Sequence, residues 1–275
     1  MIRQSSLSMN IAKYSSLSLL FLGMVFPMVW MVRVAFLPTG TSLNFDGLVS
    51  SLFTWSNFHD LLTTHNLARP FINSVVVALA VTIGNILFCF MTAYSLSRHR
   101  MFMNKLLFVT ILAVLFIPSH IVIIPLYLMS IKAGVYDSYT VLIIPWLVTP
   151  IGIFLVKQYI DSIPTAMEEA ARIDGAGEMR ILMRVVMPVC KPVLIVLAIQ
   201  VFFTNWNSFF FPFILTSSEN LRTLPVALAL YQGHQAIDWQ HLMAGSTLAI
   251  LPILLLFVIL QKYIVSGITA GAIKQ

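Results

Sequence analysis

Charge is what this chain lacks. Only 9% of its 275 residues are Asp, Glu, Lys or Arg, whereas soluble domains carry about 25%. An ordinary water-facing surface is therefore excluded. Cysteine is nearly absent: Cys89 and Cys190 are far apart and have no ligand spacing, which excludes a disulfide framework and a cysteine-based zinc site. His59, His65, His99, His120, His234 and His241 are scattered without a His-x-x-x-His pair, so no metal is expected. A phosphate loop is also missing. The triplet Gly175-Ala176-Gly177 lacks the following Lys and hydroxyl that would hold phosphate and magnesium, so ATP is not expected to bind here. No nucleophile elbow, zinc helix or carboxylate pair occurs, so no residue is assigned as catalytic.

Apolar residues fill the space, at 59% of the chain with a mean hydropathy of +0.92. Crossing a hydrocarbon core of about 30 Å takes about 20 apolar residues. Six stretches qualify, centred on residues 16–36, 71–96, 106–128, 139–160, 189–214 and 242–265. They run as continuous blocks without strict alternation, which excludes a lipid-facing barrel. The expectation is an all-α polytopic membrane protein, residues 1–275 forming one transmembrane domain. The first stretch follows Arg3 and Lys13 as a secretory signal would, but it lacks a small-residue cleavage site and is read as a retained helix.

Basic residues set the orientation. With the amino terminus inside, Arg3, Lys13, Arg98, Arg100, Lys105, Lys157, Arg172, Arg180, Arg184, Lys191, Lys262 and Lys274 face the cytoplasm, against Arg33, Arg69, Lys132 and Arg222 outside. Both termini are then cytoplasmic, in a multi-pass protein of the cytoplasmic (inner) membrane. The net charge of +6 sits beside span ends rather than in a stripe, so its partner is the lipid bilayer and not nucleic acid.

The spans hold no deep Asp or Glu; their polar groups are Asn73, Thr82, Asn85, His120, Gln200, Asn205 and Asn207. Coupling to protons or sodium calls for ionisable groups at mid-membrane depth. The energy source must lie elsewhere. His120, two residues after Pro118, has two readings, a proton relay or a hydrogen-bonding partner at a proline kink. Excursions 37–70 and 216–241 face outward; the first, with Trp55, Phe58, His59 and Asp60, is either a partner-binding surface or an interfacial loop with an aromatic anchor. No repeat and no inverted pair of broken helices stands out.

The polar interruption at 161–188 is the informative segment. Thr165 and Glu168 have capping-box spacing, so a helix is expected from about Pro164. Glu168 and Arg172, four apart, are expected to pair on its exposed side. Gly175 ends it, because glycine takes the left-handed conformation freely. A second short helix should then close at Pro188. The result is a helix-turn-helix knuckle with small residues at its tip.

These residues resemble a known family. Glu169-Ala170-Ala171, three residues, Gly175, nine residues, Val185, one residue, Met187-Pro188 is similar to the EAA signature of permease subunits of ABC importers, which usually ends Ile-x-Leu-Pro. The string from Glu168 to Ala176, with Thr223–Ala227, Leu242–Ser246 and Gly267–Lys274, looks like the carbohydrate-uptake branch and its maltose-type second permease. The resemblance implies a permease that moves a sugar or oligosaccharide, with a second homologous permease, two ATPase subunits that bind Mg-ATP, and an extracytoplasmic substrate-binding protein. It makes the loop at 161–188 a cytoplasmic coupling helix, with Glu168, Glu169, Ala170, Ala171, Asp174, Gly175, Ala176 and Pro188 as its coupling residues, and takes the tail residues Gly267, Thr269, Gly271 and Lys274 to the ATPase interface. Asn205, Trp206, Asn207, Phe209 and Phe210 are candidate pathway-lining residues, amides for hydroxyls and aromatics for sugar faces, or else an aromatic belt with packing amides. The same architecture would suit glycerol-phosphate or a polyol; a membrane scaffold anchoring a cytoplasmic partner is the distant alternative.

Overall fold

A computed structural model describes residues 7–49, 51–99, 102–231 and 238–272. The described residues are helical and form no strand. Four helices are long and apolar enough to cross a membrane, within Lys13–Ala35, Ala68–Arg98, Tyr139–Asp161 and Trp239–Lys262, and the number rises to six if each of two bent pairs is one span. The bent pairs are Asn104–Val114 with Ser119–Lys132, at 93°, and Glu178–Val189 with Lys191–Trp206, at 79°. Broken helices are thus present. The first break covers residues 115–118 and ends on Pro118, which has no N–H to give the helix; the second falls at Cys190, just before Lys191 and Pro192.

The chain divides into two compact units. Residues 1–68 and 228–251 make the first. Its helix Leu7–Ala35 exposes Leu19, Phe21, Met24 and other large apolar groups, the surface that a lipid solvent requires. Asn57, fully buried on the helix Ser56–Thr63, donates from Nδ2 to the carbonyls of Ala35 (2.8 Å) and Leu37 (2.7 Å). The last carbonyls of a helix have no internal partner, and this amide satisfies two at the exit of the first span. Phe36 packs against Phe53, Trp55 and Phe58 at ring separations of 4.6, 4.8 and 4.9 Å. Phe58 is therefore core, while Trp55 and His59 stay exposed.

Residues 69–227 and 252–275 make the second unit. Its core runs along the helix Ala68–Arg98 through Val81, Cys89, Phe90 and Ala93, and takes in Val156, Ile160, Ile181, Cys190 and Leu197. The deep asparagines serve broken backbone. Asn85 donates from Nδ2 to Trp146 O (2.9 Å) and to Thr149 Oγ1 (3.2 Å), just where the chain is irregular before Pro150. Asn73 donates to the carbonyls of Asn220 and Arg222, both at 2.9 Å, and accepts from the Tyr139 hydroxyl at 2.6 Å. Asp137, at φ +54°, receives the Ser217 and Ser218 amides at 2.9 and 3.1 Å. Desolvation raises its pKa, but the serine hydrogen bonds outweigh that effect and hold the carboxyl below its ordinary value.

Helices meet closely at Gly152. A Cβ there would lie 2.8 Å from Thr149 Oγ1, 2.9 Å from Cys89 Sγ and 3.1 Å from Leu197 Cδ1. Gly152→Val is expected to destabilise the chain by about 1–3 kcal/mol through overpacking, read as a lower midpoint in thermal unfolding of the detergent-solubilised protein. Gly23→Ala, with open space around the added Cβ, should not lower it. An unchanged midpoint for Gly152→Val would show that this crossing has slack.

Candidate functional site

The knuckle is built by a short helix, a tight turn and an irregular return. Ala166–Ile173 is the first helix. It ends with Ala176 N donating to Ala171 O at 2.9 Å and Gly175 N to Arg172 O at 3.0 Å, the paired bonds of a Schellman motif. Gly175 sits at φ +79°, the left-handed position the motif requires, and nothing lies within 4 Å of where a Cβ would stand. The return is Glu178–Ile181, then a π turn over Leu182–Val186, then Met187–Val189. Pro188 does not close the second helix as expected. It lies in the first turn of Met187–Val189, where a missing N–H is tolerated, and the break falls at Cys190.

Two other expectations about this segment are overturned. Thr165 has helical dihedrals (φ −68°, ψ −20°) and makes no side-chain cap, so the capping box does not form. Glu168 is not on the exposed side and does not pair with Arg172. It is 1% exposed, and Arg98 Nε donates to its Oε1 at 2.6 Å while the Tyr94 hydroxyl donates to its Oε2 at 3.1 Å. Arg98 Nη2 also donates to Ile163 O at 2.8 Å. The carboxylate faces inward because two donors on the helix Ala68–Arg98 outcompete a single backbone amide. Arg172 turns instead to Glu178, with Nε to Oε1 at 2.9 Å and Nη2 to Oε2 at 3.3 Å, which staples the two arms of the knuckle together. That hydrogen bond raises the guanidinium pKa above its ordinary value.

The outer surface of the knuckle is left for contact. Glu169, Ala170, Asp174 and Gly175 are exposed, Ala176 is half-buried, and Ala171 packs inward. Ile173 is 87% exposed and Met179 63%, an apolar pair beside the acidic groups. Arg98 and Tyr94, the residues that hold the knuckle, went unassigned in the sequence. They lie 70 and 74 positions from Glu168, and no local spacing links them.

A second feature of this unit is a cavity of about 530 Å³. Asn205, Asn207, Phe209 and Phe210 line it, together with His120 and Trp146. Trp206 does not: it is 2% exposed, edge-on to Phe71 at 5.6 Å and stacked on Phe202 at 5.7 Å. The helix Lys191–Trp206 turns that side chain to the opposite face from the amides beside it. His120 sits in the turn Ser119–Val122 just beyond the break, with its ring 5.0 Å from that of Phe210 and 5.8 Å from that of Phe211. Of the tail, Gly267, Thr269 and Gly271 fall on the backbone of Trp239–Ala272, and Lys274 lies outside the described residues.

Residues 85–270 match the family described as the binding-protein-dependent transport system inner membrane component. The chain belongs to that family. It is similar to the arabinooligosaccharide transport permease AraQ of Halalkalibacterium halodurans, 32% identical over 91% of both chains. It is also similar to the trehalose/maltose transport permease MalG of Thermococcus litoralis, 32% identical over 91% of both. In fold it superposes on a chain of a bacterial ABC transporter involved in the import of the acidic polysaccharide alginate, with a TM-score of 0.85, 20% identity, and coverage of 94% of this chain and 98% of that one. The chain is thus a membrane permease and a transport subunit rather than an enzyme, working with an ATPase and a substrate-binding protein.

Removing one member of the buried pair leaves an uncompensated charge. Glu168→Ala is expected to cost about 3–5 kcal/mol. Replacing both partners, Arg98→Met with Glu168→Leu, should recover most of that loss. Thermal unfolding of the solubilised protein checks both; a single variant as stable as the parent would mean that water reaches Arg98.

Proposed function

We propose that this chain is one of two homologous permeases in an ATP-driven importer of saccharides, with both termini in the cytoplasm. Two ATPase subunits bind Mg-ATP below the membrane and an extracytoplasmic binding protein delivers the saccharide from above. The knuckle carries this reading: a stapled helical arm, its acidic and small residues outward, offers a helix-in-groove contact through which closure of the ATPase pair moves the membrane helices. Glu169, Ala170, Asp174 and Gly175 touch the ATPase, and Glu168, Ala171, Ala176 and Pro188 shape the arm behind them. The tail residues Gly267, Thr269, Gly271 and Lys274 reach the same interface. The cavity beside Asn205 and Asn207 belongs to the pathway. Saccharide is favoured as cargo because AraQ and MalG, each about a third identical over most of their length, are named for saccharide transport.

Energy coupling tests the reading. The spans hold no deep carboxylate, so uptake is expected to survive collapse of proton and sodium gradients at constant internal ATP. The assay uses liposomes holding this chain, its partner permease and the ATPase, with binding protein and labelled saccharide outside. Uptake that persists with a non-hydrolysable nucleotide, or that vanishes when only the ion gradients are removed, would refute an ATP-driven importer.

Orientation is tested separately. Asp60→Cys should react with an impermeant thiol reagent from outside intact cells, and Glu178→Cys should not, because the basic residues flank the opposite loops. Labelling of Glu178→Cys from outside would invert the topology and remove the docking surface from the ATPase.

A further inference from the structure

We propose that the cavity beside Asn205 and Asn207 is a subsite for an uncharged, hydroxyl-bearing ligand, a neutral saccharide, and that it rejects anionic saccharides and phosphorylated polyols. This deepens the importer reading and rests on it.

The two amides have fixed orientations. Asn205 Nδ2 donates to Val201 O at 2.9 Å, and Asn207 Nδ2 donates to Phe203 O at 2.8 Å. A backbone carbonyl only accepts, so the nitrogen of each amide must face it, and neither side chain can be flipped. Both Oδ1 atoms are left over as acceptors. Thr204 behaves the same way: its hydroxyl hydrogen goes to Gln200 O at 2.8 Å, which leaves lone pairs. The three neighbouring residues at one edge of the cavity thus hold fixed acceptors there, and each asparagine keeps one further amide N–H. A sugar hydroxyl, which both donates and accepts, can meet the fixed Oδ1 acceptors and the spare amide hydrogens, whereas a carboxylate or phosphate only accepts and leaves those Oδ1 atoms without a donor.

Charge points the same way. Among the described residues lining the cavity there is no Lys, Arg, Asp or Glu. An anion entering would lose its water and meet no fixed cation, His120 being the one titratable side chain in the lining, whereas a hydroxyl loses little once it is hydrogen-bonded. Phe209 and Phe210 supply partly exposed ring faces for the apolar side of a sugar, and the volume of about 530 Å³ lies within the usual range for small-ligand sites, about 300–1,000 Å³.

The test titrates the assembled permease–ATPase complex, without binding protein, with arabinotriose, maltotriose and raffinose, and with trigalacturonate and glycerol 3-phosphate. Binding is read from the fluorescence of Trp146, with Trp146→Phe as the blank. At least one neutral trisaccharide is expected to bind more tightly than both anions. Asn205→Leu should weaken it about tenfold, the worth of one hydrogen bond. Asn207→Lys should weaken it similarly and gain trigalacturonate binding, a change that misfolding cannot produce. Wild-type binding of an anion as tight as that of every neutral sugar would overturn the proposal and leave the importer standing. So would import of a neutral saccharide whose binding ignores both variants. If ATP-driven import takes neither neutral nor anionic saccharides, the importer reading itself fails.

Discussion

The carboxylate of Glu168 is the point on which the cytoplasmic end of the second unit depends. It is buried, and a buried charge is tolerated only when paired and hydrogen-bonded. Arg98 and Tyr94 meet that demand from the helix Ala68–Arg98, and Arg98 also holds Ile163 O at the entrance to the knuckle. The Tyr94 hydroxyl has Glu178 Oε2 as a further neighbour at 3.4 Å, so both arms of the knuckle are referred to one turn of one long helix. An apolar pair in the same volume would recover most of the stability. What it would not supply is direction: dispersion contacts tolerate a sliding helix, whereas a 2.6 Å charged hydrogen bond does not.

The second constraint is the lack of water in lipid. Each broken helix frees backbone groups that must find partners inside the protein. Away from the two bent pairs, at helix ends and irregular stretches, the partner is asparagine. Asn57, Asn73 and Asn85 each donate to carbonyls at the end of a helix or in an irregular stretch. They are amides rather than acids, so no charge is placed at these sites. The sparse charge of the sequence is thus compatible with a fold that has several breaks.

The sequence made some of this legible and hid the rest for physical reasons. Membrane helices could be read because lipid imposes a length of apolar chain, and the turn at Gly175 because a positive φ selects glycine. The 93° and 79° breaks were hidden: Pro118 and Pro192 are visible, but a proline says only that a helix is interrupted, not whether it kinks or turns back. Glu168 was misplaced because its local neighbours, Thr165 and Arg172, offered satisfactory partners at the right spacing. A donor 70 residues away won, since burial makes a charge-assisted bond stronger than a solvated pair. Trp206 was grouped with Asn205 and Asn207 by adjacency, yet successive residues on a helix point about 100° apart, which sends the indole into the core.

The same asparagine chemistry acts differently at the cavity. Asn57, Asn73 and Asn85 reach across to other segments with their donors, and so are consumed in holding the fold. Asn205 and Asn207 donate to the helix that carries them, four residues back. A helix needs no such bond, because its N–H groups already serve those carbonyls. The structural gain is small, and the effect is to aim an acceptor outward from a fixed amide. Residues that give one amide hydrogen to their own backbone, on the last turn of a helix ending at a cavity, fix where an acceptor stands in that cavity without adding charge to a membrane span. Avoiding charge there also avoids the desolvation penalty that an Asp or Glu would bring.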